Sequence, residues 1–291
     1  MTQKLEEFRR KIDAIDDKLI NLLMERTELV AEVGALKDKT APGICPIRPG
    51  RETSMVRRIA GQFADTAFPP SAAAAIWRII IGASTSVEAE LKVAVYATDK
   101  ENDMFWLARE YFGPSAQIIR EPHFNRVIGN IMDGKASVGV LPMWRRSDTT
   151  GWWTNLLQPG KDTPKIFAHV PFIAQGREAQ SALAIGQVIP EDSGDDISVW
   201  VLEAEHNTSQ SRLQAAFAGA KMEAAWIHIG TSNPASRQHV ITVKGFVTPE
   251  HTGMRALLAG LGPSIMNSAY LGSYGTPLVL AKEKQHEQAT A

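Results

Sequence analysis

Four long-reach cations, Arg9, Arg26, Lys37 and Arg51, stand near the start of this 291-residue chain, followed by Glu52 and, further on, by Ser84 and Glu88. Cations of that reach, with hydroxyl and carboxyl groups beside them, suit a small dianion whose two negative groups need fixed positive partners. Taken singly, each Lys or Arg reads most simply as a solvated helix charge. The chemistry lies in the set, and it depends on the element that carries it.

That element is a long helix. From Leu5 to about Lys39 there is no proline, and Phe8, Ile12, Ile15, Leu19, Leu22, Leu23, Leu29, Val30 and Val33 recur at helical intervals with charges between them. Arg26 and Lys37 are eleven residues apart, about three whole turns, so they project from one side and can converge on one ligand. Arg9 and Arg26 are seventeen apart, roughly 25 Å along the axis and about 100° around it, too far to grip the same small molecule. Arg9 must serve a different site. A helix of this length with an apolar stripe and no equally long partner in the chain is expected to pack on its own copy, and a two-fold dimer would carry Arg9 of one subunit to the site of the other.

The segments "FRRKIDAIDDKLINLLMERTELVAEVGALK", "RPGRET" and "IWRIIIGASTSVEAEL" resemble the all-helical (AroQ) class of chorismate mutase over nearly the whole of that domain. The resemblance implies a three-helix domain forming an intertwined dimer, with Arg9, Arg26, Lys37, Arg51, Glu52, Ser84 and Glu88 at the family's substrate positions. It implies chorismate as substrate, prephenate as product of a [3,3] rearrangement, no cofactor, and a place in phenylalanine and tyrosine biosynthesis. Catalysis would be restraint plus electrostatics. Arg9 from the partner subunit and Arg26 would take the two carboxylates, with Arg51 and Ser84 assisting; Lys37 and Glu88 would donate to the ether oxygen as the C–O bond breaks, and Glu52 would accept from the ring hydroxyl. Two positions depart from the commonest bacterial pattern. Pro49 falls about where an acidic residue is usual, which is expected to weaken hydroxyl binding. Glu88 replaces a frequent Gln, and a carboxyl group donates a hydrogen bond only when protonated, so activity is expected to fall as pH rises and the acid ionises.

Composition bounds the remainder. The length allows two or three domains with buried cores. A formal charge of −1 and a pI near 6.7 argue against nucleic acid or an anionic membrane as the main partner. The single cysteine, Cys45, excludes an internal disulfide and a cysteine metal cluster. The seven histidines include no pair at metal-ligand spacing on a helix, so no metal is assigned. The charged start and the absence of a long apolar run lead to the expectation of a cytoplasmic enzyme.

The expected division is a helical domain over 1–91, an α/β lobe over 92–190, a βαββαβ domain over 195–283 and a disordered tail over 284–291. Within the first, residues 39–50 form a loop, the second helix runs from Arg51 to Ala64, and Ser71 caps a third helix after Pro69-Pro70. In the second, strands "LKVAVYA", "AQIIREP" and "ASVGVLPM" alternate with helices "DMFWLAREYFG" and "HFNRVIGNIMDG", an α/β unit with a parallel core. This lobe resembles the first half of a prephenate dehydratase, a fold of periplasmic-binding type, and the resemblance also carries "LLQPGKDTPKIFAHVPF".

The dehydratase signatures are replaced: a glycine-rich loop by Ala97–Asp103, a polar turn by Trp144, Arg145 and Arg146, and a Thr-Arg-Phe element by Ser181, Ala182 and Leu183. Between Phe172 and Ala179 there is no room for a second lobe, so dehydratase activity is expected to be lost. The last domain follows the ferredoxin-like plan and resembles an ACT domain. The family's two effector motifs are replaced at Asn207–Gln210 and Gly230–Pro234, which leaves a small-molecule effector of the C-terminal half undefined. Trp144, Arg145 and Arg146, with Trp152 and Trp153, could build a stacking and anion-binding surface; the simpler reading is a loop packed on a domain face. Two other functions compete with a mutase. One is an isochorismate pyruvate lyase of the same helical fold. The other is a non-catalytic dimer that senses an aromatic metabolite.

Overall fold

A computed structural model describes residues 2–36, 45–144, 151–157, 160, 162–174, 181–233 and 235–280. Helix α1 runs over Thr2–Leu36, α2 over Pro49–Gln62 and α3 over Pro70–Glu88. Both shorter helices open on a proline in the first turn, where a missing N–H costs nothing and the fixed φ is already helical. Two boundaries therefore shift from expectation. Helix α2 starts two residues before Arg51, and α3 starts at Pro70, so Ser71 lies inside the first turn and is not the N-cap.

Among the described residues, helix α1 makes its main contact with α3, toward its own C-terminal end. Gly34 lies against Glu88 of α3, where an added Cβ would stand 3.4 Å from the Glu88 backbone. Its N-terminal two thirds is bare. Leu5, Phe8, Ile12, Ile15, Leu19 and Leu22 are all half exposed or more, with Ile15 at 55% and Leu19 at 54%. Their steps alternate three and four, and the same series continues through Arg26 to Leu29, Val33 and Leu36. A sustained three-four repeat is the seam of a coiled coil. Arg26 occupies a seam position.

The rest of the molecule is built on one nine-stranded sheet. The strands are β1 (Lys92–Tyr96), β2 (Gln117–Glu121), β3 (Val138–Pro142), β4 (Lys165–Val170), β5 (Ala182–Gly186), β6 (Asp196–Glu205), β7 (Ala224–Asn233), β8 (Ser236–Lys244) and β9 (Ile265–Gly275), in the order β2-β1-β3-β5-β4-β9-β6-β8-β7. Helices α4 (Asp103–Phe112) and α5 (Phe124–Met132) are the crossovers of the parallel β2-β1-β3 part. Strand β5 then enters antiparallel between β3 and β4. With α6 (Gln210–Gly219) and α7 (Thr252–Leu261), β6 to β9 form the βαββαβ plan in the order β9-β6-β8-β7, all antiparallel. Expected strands and helices of both units are present. The break expected near residue 190 is a change of unit but not of sheet, because Ile166 of β4 pairs with Gly272 of β9. Gly272 has φ of 135°, and a Cβ there would lie 2.0 Å from the Ile166 carbonyl oxygen, so only glycine permits this junction.

The tryptophan cluster takes the simpler of the two readings open to it. Trp144, Trp152 and Trp153 are buried with Leu156, Val199 and Leu271, and the Trp152 indole donates to the Pro142 carbonyl at 3.0 Å. The rings are core that closes one face of the sheet, not a ligand-stacking surface, since burying them removes far more apolar area from water than any exposed arrangement would. Arg145 and Arg146 lie outside the described residues, as does the expected tail over 284–291.

One buried and one half-buried imidazole are expected to give this body a pH dependence. His239, 1% exposed in β8, and the half-buried His169 both have pKa values lowered from that of a free imidazole, chiefly by desolvation; Arg237 adds to the effect at His239, and a bond to the Pro171 carbonyl opposes it at His169. A histidine whose folded pKa is depressed stays neutral in the fold, while the unfolded chain takes up the proton. Stability is thus full above the unfolded pKa of about 6.5 and is lost as pH falls through it toward the folded values. The melting temperature is expected to drop as pH goes from 7.5 to 5.5, by about 2–4 °C for each kcal/mol. In His239→Leu part of that slope should vanish, as scanning calorimetry at matched ionic strength would reveal; an unchanged slope would remove His239 from this role.

Candidate active site at the crossing of α1 and α3

The crossing of α1 and α3 assembles the first part of the expected site. Ser84 and Glu88 are one turn apart on α3 and share the face that meets α1. The Arg26 guanidinium donates to the Ser84 hydroxyl, which in turn donates to the Ile80 carbonyl at 2.7 Å. Glu88 stands one turn further on, where Gly34 lets the two helices approach. A guanidinium on the apolar stripe of α1, held by a hydroxyl, keeps most of its donors in a plane for a carboxylate.

The other expected residues lie elsewhere within one chain. Arg9 is on the bare part of α1, exposed and paired with Glu6 at 2.8 Å on the same helix. Arg51 is exposed, and its backbone N–H points to Glu191 at 3.4 Å. Glu52 is turned toward the body of the protein. Its Oε2 accepts from Arg78 at 3.2 Å and its Oε1 from the Arg48 backbone N–H at 3.1 Å. Lys37 lies outside the described residues.

Sequence reasoning missed Arg78. Its side chain is 8% exposed, its guanidinium lies 3.9 Å from the Tyr111 ring centroid, and its Nε donates to the Tyr111 carbonyl at 3.3 Å. It thereby ties Glu52 of α2 and α3 to α4 of the α/β unit. The signal was available: an arginine inside the apolar run "AAAAIWRIIIGA" has no solvent to reach and must be paired. Next to it, Gly82 packs directly on the Phe112 carbonyl, where a Cβ would be 2.2 Å away.

Among the described residues no group of three His, Cys, Asp or Glu is placed to hold a metal, and no helix is long and apolar enough to cross a membrane. Cys45 is buried, and desolvation pushes its thiol up to about 12.

Residues 8–89 match the chorismate mutase type II family, so helices α1, α2 and α3 form a domain of that type in the N-terminal part of the chain. Among curated proteins, the bifunctional chorismate mutase/prephenate dehydratase of Aquifex aeolicus is 32% identical over 142 residues, 48% of this chain and 39% of its own length. The chorismate mutase of Methanocaldococcus jannaschii is 41% identical over 59 residues, 20% of this chain and 58% of its own. The chain thus spans 39% and 58% of these relatives. Among solved structures, the quorum-quenching acylase GqqA matches with a TM-score of 0.49 at 13% identity, covering 65% of this chain and 96% of that one. Prephenate dehydratase from Streptococcus mutans matches with a TM-score of 0.47 at 14% identity, covering 63% of this chain and 97% of that one. The Arthrobacter aurescens prephenate dehydratase in complex with L-Phe has a TM-score of 0.47 at 12% identity, covering 66% and 93%.

Proposed function

We propose that this protein is a chorismate mutase whose site is shared between two copies of the chain, converting chorismate to prephenate for phenylalanine and tyrosine synthesis. The observation that carries the reading is Arg26 held on Ser84, beside Glu88, at the crossing of α1 and α3 within a domain that matches the mutase family. Arg26 takes one substrate carboxylate as a planar fork, and Ser84 fixes the fork. The second carboxylate falls to Arg9 of the partner subunit. Two α1 helices running antiparallel about an axis between Asp17 and Lys18 set residue i opposite residue 35 − i, which brings Arg9 beside Arg26 and covers Ile12, Ile15 and Leu19. Each apolar side chain so covered contributes up to about 1.5–3 kcal/mol.

Chemistry in such a site needs no covalent step. Clamping both carboxylates holds the diaxial-like conformer in which the bond-forming carbons meet. Lys37 and Glu88 face the ether oxygen, whose negative charge grows as the C–O bond breaks, so hydrogen bonds donated there favour the transition state over the substrate. Arg51 adds positive potential, and Glu52 keeps a free lone pair on each oxygen for the ring hydroxyl despite its bonds to Arg78 and Arg48. The α/β unit carries out no dehydration in this reading.

Incubation of the purified chain with chorismate is expected to yield prephenate, recognised by its acid conversion to phenylpyruvate. Release of pyruvate would establish the lyase instead, and phenylpyruvate formed without acid would establish a dehydratase. Unchanged chorismate would refute the mutase. Glu88→Gln, which keeps a donor, is expected to retain activity, whereas Glu88→Ala, which has none, should lose it. Activity in Glu88→Ala equal to wild type would exclude Glu88 as the donor.

A further inference from the structure

A cleft of about 670 Å³ opens where the α/β unit meets the βαββαβ unit. Leu156, Leu157, Pro190 and Phe246 give it apolar walls, and Ala269 and Tyr270 of β9 line it as well. Among the described residues one cation faces it. The Lys165 ammonium donates to the Tyr270 carbonyl at 2.9 Å, and among the described residues it has no carboxylate partner. Burial lowers its pKa, the mark of a charge that has lost water without gaining an anion. Glu250 stands on the lining as an exposed carboxylate, its pKa lowered mainly by the Thr248 hydroxyl. Neither residues 207–210 nor Gly230, where the ACT resemblance put effector motifs, lines this cleft.

The wall of the cleft continues into a strap that grips the helical domain. After Ile189 and Pro190, Glu191 pairs with Arg48 and accepts from the Arg51 N–H. Gly50 lets the strap lie on α2, since a Cβ there would be 2.6 Å from the Glu191 Cβ. The Ser193 carbonyl then accepts from Ser54 at 3.1 Å and from Arg57 at 3.0 Å, and Arg57 also donates to the Asp195 carbonyl at 3.0 Å. The strap thus joins the cleft to the first turn of α2, which bears Arg51 and Glu52. A ligand that moves Ile189 and Pro190 acts on that turn through contacts already made.

We propose that this cleft binds a small carboxylate bearing an apolar group, with its carboxylate on Lys165, and that residues 189–195 transmit occupancy to the N-terminus of α2. The transmission rests on the mutase reading; the binding does not. Calorimetric titration of the full chain with 3-phenylpropionate, L-phenylalanine, L-leucine and acetate tests it. The first three should differ from acetate in giving saturable one-to-one binding. Lys165→Gln should weaken them at least about tenfold. Ile189→Trp, at a position 79% exposed and tolerant of a larger side chain, should block the cleft without disturbing the fold. Tighter binding of the amino acids than of 3-phenylpropionate, lost in Glu250→Gln, would identify the ligand as an amino acid; equal binding would identify a simple acid. No saturable heat, or wild-type affinity in both Lys165→Gln and Ile189→Trp, would overturn the site. With ligand saturating, KM for chorismate should shift at least about twofold in wild type and not in Glu191→Ala. Binding without that shift would overturn the transmission. Absence of mutase activity would count against the mutase reading alone, since the titration still decides the cleft.

Discussion

Arg26→Ala is expected to lower kcat/KM for chorismate by about 10²–10³, or about 3–4 kcal/mol of transition-state stabilisation. The guanidinium lies at the one point where α1 meets Ser84, so its loss removes the fork without removing a packed core group. Circular dichroism and melting temperature should stay near wild type. Arg26→Lys should recover little, because an ammonium offers a point charge where a planar pair of donors is needed. A loss in KM with kcat unchanged would mean that Arg26 binds substrate and transition state equally. Activity close to wild type would displace the site from this crossing.

The second large effect belongs to the bare stripe of α1. Leu19→Glu puts a charge in the middle of the apolar seam, in each of the two copies of the proposed antiparallel pair. A carboxylate left without a partner in a desolvated seam costs several kcal/mol, counted twice across a two-fold axis. The variant should sediment as a monomer at concentrations where wild type is a dimer, and it should lose mutase activity with the dimer. The melting transition of the nine-stranded body should persist, since none of α1's stripe packs on that body. A dimeric, active Leu19→Glu would mean that the stripe is covered by something other than its own copy.

Much of this architecture was legible because local patterns carry it. The three-four spacing of Phe8, Ile12, Ile15, Leu19 and Leu22 defines α1, and the alternation from Leu91 onward defines both units of the sheet. Arg26 and Ser84 were expected in one site and meet there. What local pattern cannot supply is contact between distant segments. The pairing of Ile166 with Gly272, which fuses two expected domains into one sheet, spans more than a hundred residues, as does the grip of Arg48 and Arg57 on residues 191–195. Arg78 was overlooked because a lone arginine in an apolar helix announces only that it has a partner, not that the partner is Glu52. The tryptophans Trp144, Trp152 and Trp153 left two readings open, a wet stacking surface beside the arginines or a loop packed on a domain face, and the rings follow their apolar area into the core, as the simpler reading had it.

Mixing two inactive variants tests the shared site most directly. Arg9→Ala and Arg26→Ala, each dead alone, are unfolded together, refolded and assayed with chorismate. In a mixed dimer one site has lost both arginines and the other has kept both. Random pairing makes half of the dimers mixed, so the mixture should regain about one quarter of wild-type activity. A mixture that stays as inactive as its components, beside a refolded wild type that is active, would contradict a site built from Arg26 of one chain and Arg9 of the other.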